Sequence, residues 1–171
     1  MIHYFAYGSN LHPLRLKERV PSAELVGTVE LKQYCLTFHK KSHDDSSKCN
    51  IIETDSKFDV VHGAIYKLKT EHKNNLDKFE GKGFGYLDSQ ILLHHEGQPY
   101  DCFTYLAQES HITDELKPYH WYKELVVLGA KYLQFPERYI SSIESVKSIE
   151  DPDISRRKEK IGLINNIVKY R

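Results

Sequence analysis

Apolar residues fall into two regimes along this chain. Over the first two thirds they alternate or run in short stretches bounded by Gly, Asn, Ser and Asp; over the last third they recur every three or four positions. The first regime predicts strands and the second predicts helices. Residues 2–7 read as a strand that stops abruptly at Gly8-Ser9-Asn10-Leu11, the mark of a buried strand entering a tight turn. Asn10 or His12 is placed to cap a short helix, with Pro13 in its first turn and Leu14 and Leu16 facing inward. Further strands are expected over 23–31, with a bulge at Gly27, and over 34–39, 49–52 and 60–68. Residues 40–48 are rich in Lys, Ser and Asp and read as a mobile loop. Thr70 opens a helix to about Glu80, with Gly81 as its stop. Residues 86–93 and 99–107 are two strands joined around Glu96-Gly97-Gln98, a hairpin signal.

The helical regime begins at Pro118 and runs to about Leu133. A second helix starts at Pro136, with Tyr139, Ile140, Ile143 and Val146 at helical spacing, and a third spans 154–169 with Ile161, Ile164 and Val168 as its apolar stripe. Strands first and helices last describe an α+β domain. A length of 171 residues fits one domain over 1–171.

Composition narrows the possible partners. Lys plus Arg and Asp plus Glu number 24 each, so the net charge is zero and the sequence predicts neither nucleic acid nor membrane as a partner. Three cysteines, Cys35, Cys49 and Cys102, form no CxxC and give an odd count, which argues against a disulfide framework or a structural zinc site. No signal peptide is legible, and no apolar run approaches the ~18 residues of a membrane span. The expected setting is soluble, reducing and cytoplasmic.

Glu80 is the most informative ionisable residue. It lies four positions after Leu76 and so shares a helix face with it. If Leu76 faces the core, Glu80 sits on or beside the buried stripe at the negative end of the helix dipole. Burial and dipole together would push its pKa upward, toward the range where a carboxylate trades protons near neutral pH. A slight rotation of the helix would instead leave it solvated. The Gly8–Leu11 turn offers backbone N–H groups to an anion, although such turns are also ordinary structural junctions. A Cys–His nucleophile is disfavoured because Cys35 and Cys102 sit in strand patterns and Cys49 at a strand start. His94 and His95 are adjacent on a strand and point to opposite faces; His111 and His120 lack a matching ligand set, so no metal is expected. Ser9 has no nearby histidine, which leaves it a binding role within the turn.

Four stretches carry a resemblance. Tyr4-Phe5-Ala6-Tyr7-Gly8-Ser9-Asn10-Leu11 is followed by Leu76-Asp77-Lys78-Phe79-Glu80-Gly81, by Cys102-Phe103-Thr104-Tyr105-Leu106, and by Trp121-Tyr122-Lys123-Glu124-Leu125-Val126-Val127-Leu128-Gly129-Ala130. In this order and spacing they resemble the γ-glutamylcyclotransferase family, also called AIG2-like, over most of residues 3–135. The resemblance implies a small mixed β-barrel with peripheral helices and a cavity at one end, followed by a helical segment over about 136–171. It implies release of an amino acid, peptide or amine from a γ-glutamyl substrate with formation of 5-oxoproline, and no cofactor. Glu80 matches the family's catalytic glutamate, and Tyr7, Gly8, Ser9, Asn10 and Leu11 match its substrate loop. Tyr105 and Tyr122 lie in matched stretches and are substrate-binding candidates; both also read as core aromatics. Tyr7 fits either the cavity or the core, and the register of Tyr86 is open. The leaving group is not legible: γ-glutamyl amino acids, γ-glutamylamines and a γ-glutamyl group removed in biosynthesis all fit. A non-catalytic binding module on the same fold and a homodimer also remain open.

Overall fold

The computed structural model describes residues 1–170. Its first strand, β1 (Ile2–Ala6), is the central strand of a five-stranded sheet. Tyr4, Phe5 and Ala6 are consecutive and all buried, the signature of a strand covered on both faces. The sheet order is β2 (Glu24–Lys32), β5 (Val60–Leu68), β1, β7 (Gln98–Ala107) and β6 (Tyr86–His95). Every pairing is antiparallel except β1 with β7, which run parallel with His3 opposite Cys102 and Tyr4 opposite Phe103. The architecture is thus mixed α+β. No hydrogen-bonded ladder joins the outer strands, so the sheet is curled rather than closed. The two edges still meet, with His95 Nδ1 3.1 Å from the Thr28 carbonyl. The expected bulge is present, as the β2 register shifts between Leu25 and Gly27.

A separate two-stranded ribbon consists of β3 (Tyr34–Lys41) and β4 (Ser47–Glu53). It corrects the expectation of a long mobile loop over 40–48. Only a short turn separates the strands, closed by Ser42 N–H donating to the Ser46 carbonyl at 3.0 Å. The polar residues that suggested solvent are partners of one another. Asp44 accepts from the Ser46 hydroxyl at 2.7 Å and from Lys48 Nζ at 2.8 Å. Ser46 and Ser47 are fully buried.

The helices are α1 (Pro13–Arg19), α2 (Lys73–Glu80), α3 (His120–Tyr132), α4 (Glu137–Glu144) and α5 (Ile154–Lys169). Of the two possible α1 caps it is His12 that acts, its Nδ1 accepting from Leu14 N–H at 3.2 Å. Thr70 does not cap α2; Thr70–His72 form a 3-10 turn and the α-helix starts at Lys73. Gly81 ends it in the left-handed conformation, φ 64°. Helix α3 buries Trp121, Tyr122, Leu125, Val126, Gly129 and Ala130. Gly129 lets it press on the turn after β1: a Cβ there would lie 2.5 Å from Leu11 Cβ and 3.0 Å from His12 N. The α5 stripe is corrected by its packing. Leu163 and Ile167 are buried, whereas Ile161 and Val168 are 47% and 63% exposed. A helix with apolar residues on two overlapping faces leaves the choice to its neighbours, here α3 and α1. Among the described residues no helix is long and apolar enough to cross a membrane.

Candidate active site

Strand β1 delivers Tyr7-Gly8-Ser9-Asn10 to one wall of a cavity, and the C-terminal end of α2 delivers Glu80 to the adjoining wall. The cavity is small and is completed by Tyr4, Cys49, Tyr86, Tyr105 and Tyr122. The turn is tight because Leu11 N–H donates to the Gly8 carbonyl at 3.1 Å. The N–H groups of Gly8, Ser9 and Asn10 donate to nothing among the described residues. Leu11 is different from its neighbours. Its N–H is spent on the turn, its carbonyl accepts from Tyr66 Oη at 2.6 Å, and its side chain is fully buried away from the cavity. It shapes the turn and does not line the chamber. Gly8 sits against the ribbon, where a Cβ would come within 3.0 Å of Cys49 Cβ. A side chain would therefore force the turn and the ribbon apart.

Glu80 is partly buried, with 15% of its side chain exposed, and it is not alone on its apolar stripe. Its Oε1 accepts from Arg19 Nη1 at 2.7 Å and from Asn10 Nδ2 at 2.9 Å. Arg19 Nη1 also reaches Asn10 Oδ1 at 3.0 Å, closing a three-membered network. No hydrogen bond from the described residues reaches Oε2. Asn10 and Glu80, 70 positions apart in sequence, are thus in direct contact. Arg19 escaped the sequence reading because a basic residue in the last turn of a helix ordinarily serves the dipole. No local spacing links Arg19 to Glu80.

The tyrosines divide by what their hydroxyls do. Tyr7 donates to the Tyr105 carbonyl and Tyr86 to the Cys49 carbonyl. Tyr105 donates to Asp77 Oδ1 at 2.6 Å, so it lines the chamber with its ring while its hydroxyl is tied to α2. Tyr122 Oη accepts from Cys49 N–H at 3.0 Å, and Tyr4 Oη accepts from Asn10 Nδ2 at 3.1 Å. The Tyr4 hydroxyl proton has no acceptor among the described residues, while the Tyr122 hydroxyl also lies against the Cys49 thiol. Burial raises the pKa of Tyr4, Tyr7, Tyr86 and Tyr122, with the negative charge of Glu80 adding to each. They therefore stay protonated and act as donors at neutral pH. Tyr4 belongs with Tyr122 as a candidate donor to substrate, although the sequence reading did not single it out. The signal was present in the strand, since Tyr4 precedes the turn in an apolar run.

Burial pushes the Cys49 thiol up to about 12, which keeps it a neutral thiol in the chamber wall. Ser9 lines the cavity and makes no hydrogen bond to a histidine. Among the described residues no three of His, Cys, Asp and Glu gather at metal-ligand spacing.

The chain was compared with known proteins. A family model described as "AIG2-like family" matches residues 60–143. The gamma-glutamylcyclotransferase of Homo sapiens is 32% identical over 157 residues, which covers 88% of this chain and 79% of that protein. The gamma-glutamylcyclotransferase of Bos taurus is 28% identical over 151 residues, covering 84% and 78%. A solved structure named gamma-glutamyl cyclotransferase superposes with a TM-score of 0.81 at 25% identity, over 96% of this chain and 98% of its own.

Proposed function

The chain belongs to the γ-glutamylcyclotransferase family and is an enzyme of that kind, and from that premise we propose that it closes a γ-glutamyl amino acid or peptide to 5-oxoproline with Glu80 as general acid and base. The observation that carries the reading is the asymmetry of the Glu80 carboxylate. Oε1 is pinned by Arg19 and Asn10 while Oε2 is left without a protein donor inside the chamber. Pinning one oxygen with a charge-assisted hydrogen bond from Arg19 orients the other toward the chamber.

The reaction proceeds as follows. The α-amine of the glutamyl group, bound as the ammonium, gives up one proton to solvent water and attacks the γ-carbonyl carbon. The new C–N bond closes a five-membered ring and places negative charge on the former carbonyl oxygen. Oε2 of Glu80 takes the second proton from the attacking nitrogen and passes it to the nitrogen of the leaving group. The old C–N bond then breaks and the oxyanion collapses to the lactam carbonyl. No water is consumed, and no covalent enzyme intermediate forms. The N–H groups of Gly8, Ser9 and Asn10 and the hydroxyls of Tyr4 and Tyr122 supply donors for the oxyanion and for the substrate α-carboxylate. Holding the amine against its own carbonyl is an orientation effect worth up to ~7–11 kcal/mol, and the proton relay adds ~10²–10⁴-fold.

The test is release of 5-oxoproline from γ-glutamyl dipeptides, glutathione and γ-glutamylamines, followed by chromatography. At least one is expected to be cleaved, and Glu80→Gln is expected to abolish most of that turnover. No product from any of them, or near-full turnover by Glu80→Gln, would sink the proposal.

A further inference from the structure

The inner chamber adjoins a second, wider one, and Ser9, Glu80, Tyr86 and Tyr122 are walls common to both. If the γ-glutamyl group lies against the Gly8–Asn10 turn and Glu80, whatever is attached to its γ-nitrogen must extend past these shared walls. The character of the outer chamber therefore bears on the leaving group.

That chamber is cationic in an otherwise neutral chain. Arg19, Lys40, Lys48 and Lys78 line it, and Glu80 is the one carboxylate among its lining residues. Arg19 is neutralised by Glu80, and Lys48 by Asp44 at 2.8 Å. Lys78 is exposed on α2 and solvated. Lys40 is the exception. It is only 4% exposed, yet among the described residues its ammonium has neither an ion pair nor a hydrogen bond. It lies over the Tyr86 ring, 4.4 Å from the centroid, at the junction of the two chambers. The side chain is buried while its ammonium keeps access to the chamber, so an anion delivered through that chamber can supply the contact that the described residues do not. Burial lowers the Lys40 pKa, while the charges of Glu80 and Asp44 oppose that shift and favour the ammonium.

We infer that Lys40 is a specificity-determining residue that receives a carboxylate of the leaving amino acid or peptide. The assignment rests on the reading of the inner chamber as the γ-glutamyl site. A carboxylate there completes the hydrogen bonding of Lys40, whereas an amine or polyamine leaving group brings a second cation against Lys40 and Lys48.

The test compares γ-glutamylalanine with its C-terminal amide, in the wild-type chain and in Lys40→Met and Lys40→Arg. Methionine keeps the unbranched stem over Tyr86 and removes the charge. The wild-type chain is expected to favour the acid over the amide by about 10–100-fold in kcat/KM, the range for a hydrogen bond to a charged group, with most of the difference in KM. Lys40→Met should erase the preference by raising KM for the acid toward that for the amide, and Lys40→Arg should restore part of it. Equal use of acid and amide by the wild-type chain, a comparison that needs no variant, would overturn the assignment, as would an intact preference in Lys40→Met. A binding measurement separates this inference from the reaction on which it rests. The probes are isosteres in acid and amide form, with CH₂ in place of the scissile N–H, followed by calorimetry. If no γ-glutamyl compound yields 5-oxoproline but the acid isostere still binds more tightly than the amide in a Lys40-dependent way, the carboxylate site stands and the reaction does not. If the two isosteres bind alike, or neither binds, the carboxylate site falls.

Discussion

Among the described residues two carboxylates withdrawn from solvent, Asp151 and Glu80, are held by arginine, and they are held differently. Asp151, just before α5, has no exposed side-chain surface and uses both oxygens fully. Oδ1 accepts from Arg156 Nη2 at 2.6 Å and Asp153 N–H at 2.9 Å; Oδ2 accepts from Arg156 Nε at 2.7 Å and Trp121 Nε1 at 2.8 Å. Glu80 has its two bonds on one oxygen and none on the other. The first arrangement ties α5 to α3 and leaves the carboxylate no spare acceptor site. The second fixes a carboxylate in place and keeps an oxygen free for something that is not protein. A buried ion pair alone therefore does not mark a functional site. The unsatisfied atom facing a cavity is the better sign.

That contrast can be broken by substitution, beginning where the effect is largest. Glu80→Gln preserves shape and removes the base. Turnover is expected to fall ~10²–10⁴-fold in steady-state kinetics, while Tm moves by less than in the Asp151 variant below. Asp151→Asn should do the reverse. Breaking one partner of a buried, multiply bonded pair costs about 3 kcal/mol, a fall of about 6–12 °C in Tm by calorimetry, with kcat per folded molecule unchanged. A catalytic defect in Asp151→Asn, or a thermal collapse in Glu80→Gln, would erase the distinction.

Arg19→Lys sharpens the comparison. Lysine keeps the charge, but it does not reproduce the geometry by which Nη1 bridges Glu80 Oε1 and Asn10 Oδ1. A loss of ~10-fold in kcat is expected, in line with a charged hydrogen bond. Combined with Glu80→Gln it should add little, because the two act as one unit. The smallest effect is the response to acid. Hydrogen bonds from Arg156 chiefly hold the Asp151 carboxyl at about 2, below its ordinary value of 3.8. A depressed carboxylate contributes stability that is whole above the ordinary value and is lost as pH falls through about 2. Denaturant titrations between pH 5 and pH 2 should show the wild-type chain losing its advantage over Asp151→Asn across that interval.

Much of the architecture was legible because it is written in local rules. The Gly27 bulge, the Glu96-Gly97 hairpin, the Gly81 cap and the α3 face each depend on residues close in sequence. Glu80 was legible for the same reason, since its spacing from Leu76 ties it to a buried face. The failures share a cause as well. Residues 40–48 looked solvated because their charges pair within a turn, as Lys48 does with Asp44, and the turn is tied to other elements, as when Tyr119 Oη donates to the Asp44 carbonyl at 2.5 Å. The α5 stripe was misplaced because either of two faces satisfies helical periodicity and only the neighbouring helices choose between them.

The sequence by itself determined the strand that stops at Gly8-Ser9-Asn10, the helix that ends at Glu80, and the α+β order of the elements. These follow from periodicity, caps and turn chemistry, which act over a few residues. Only the tertiary structure decided that Arg19 and Asn10 would occupy the same oxygen of Glu80, that Leu11 would turn away from the chamber, and that Lys40 would be buried without a partner. Which atom is left unsatisfied depends on every group brought near it, and those groups come from separate elements of the chain.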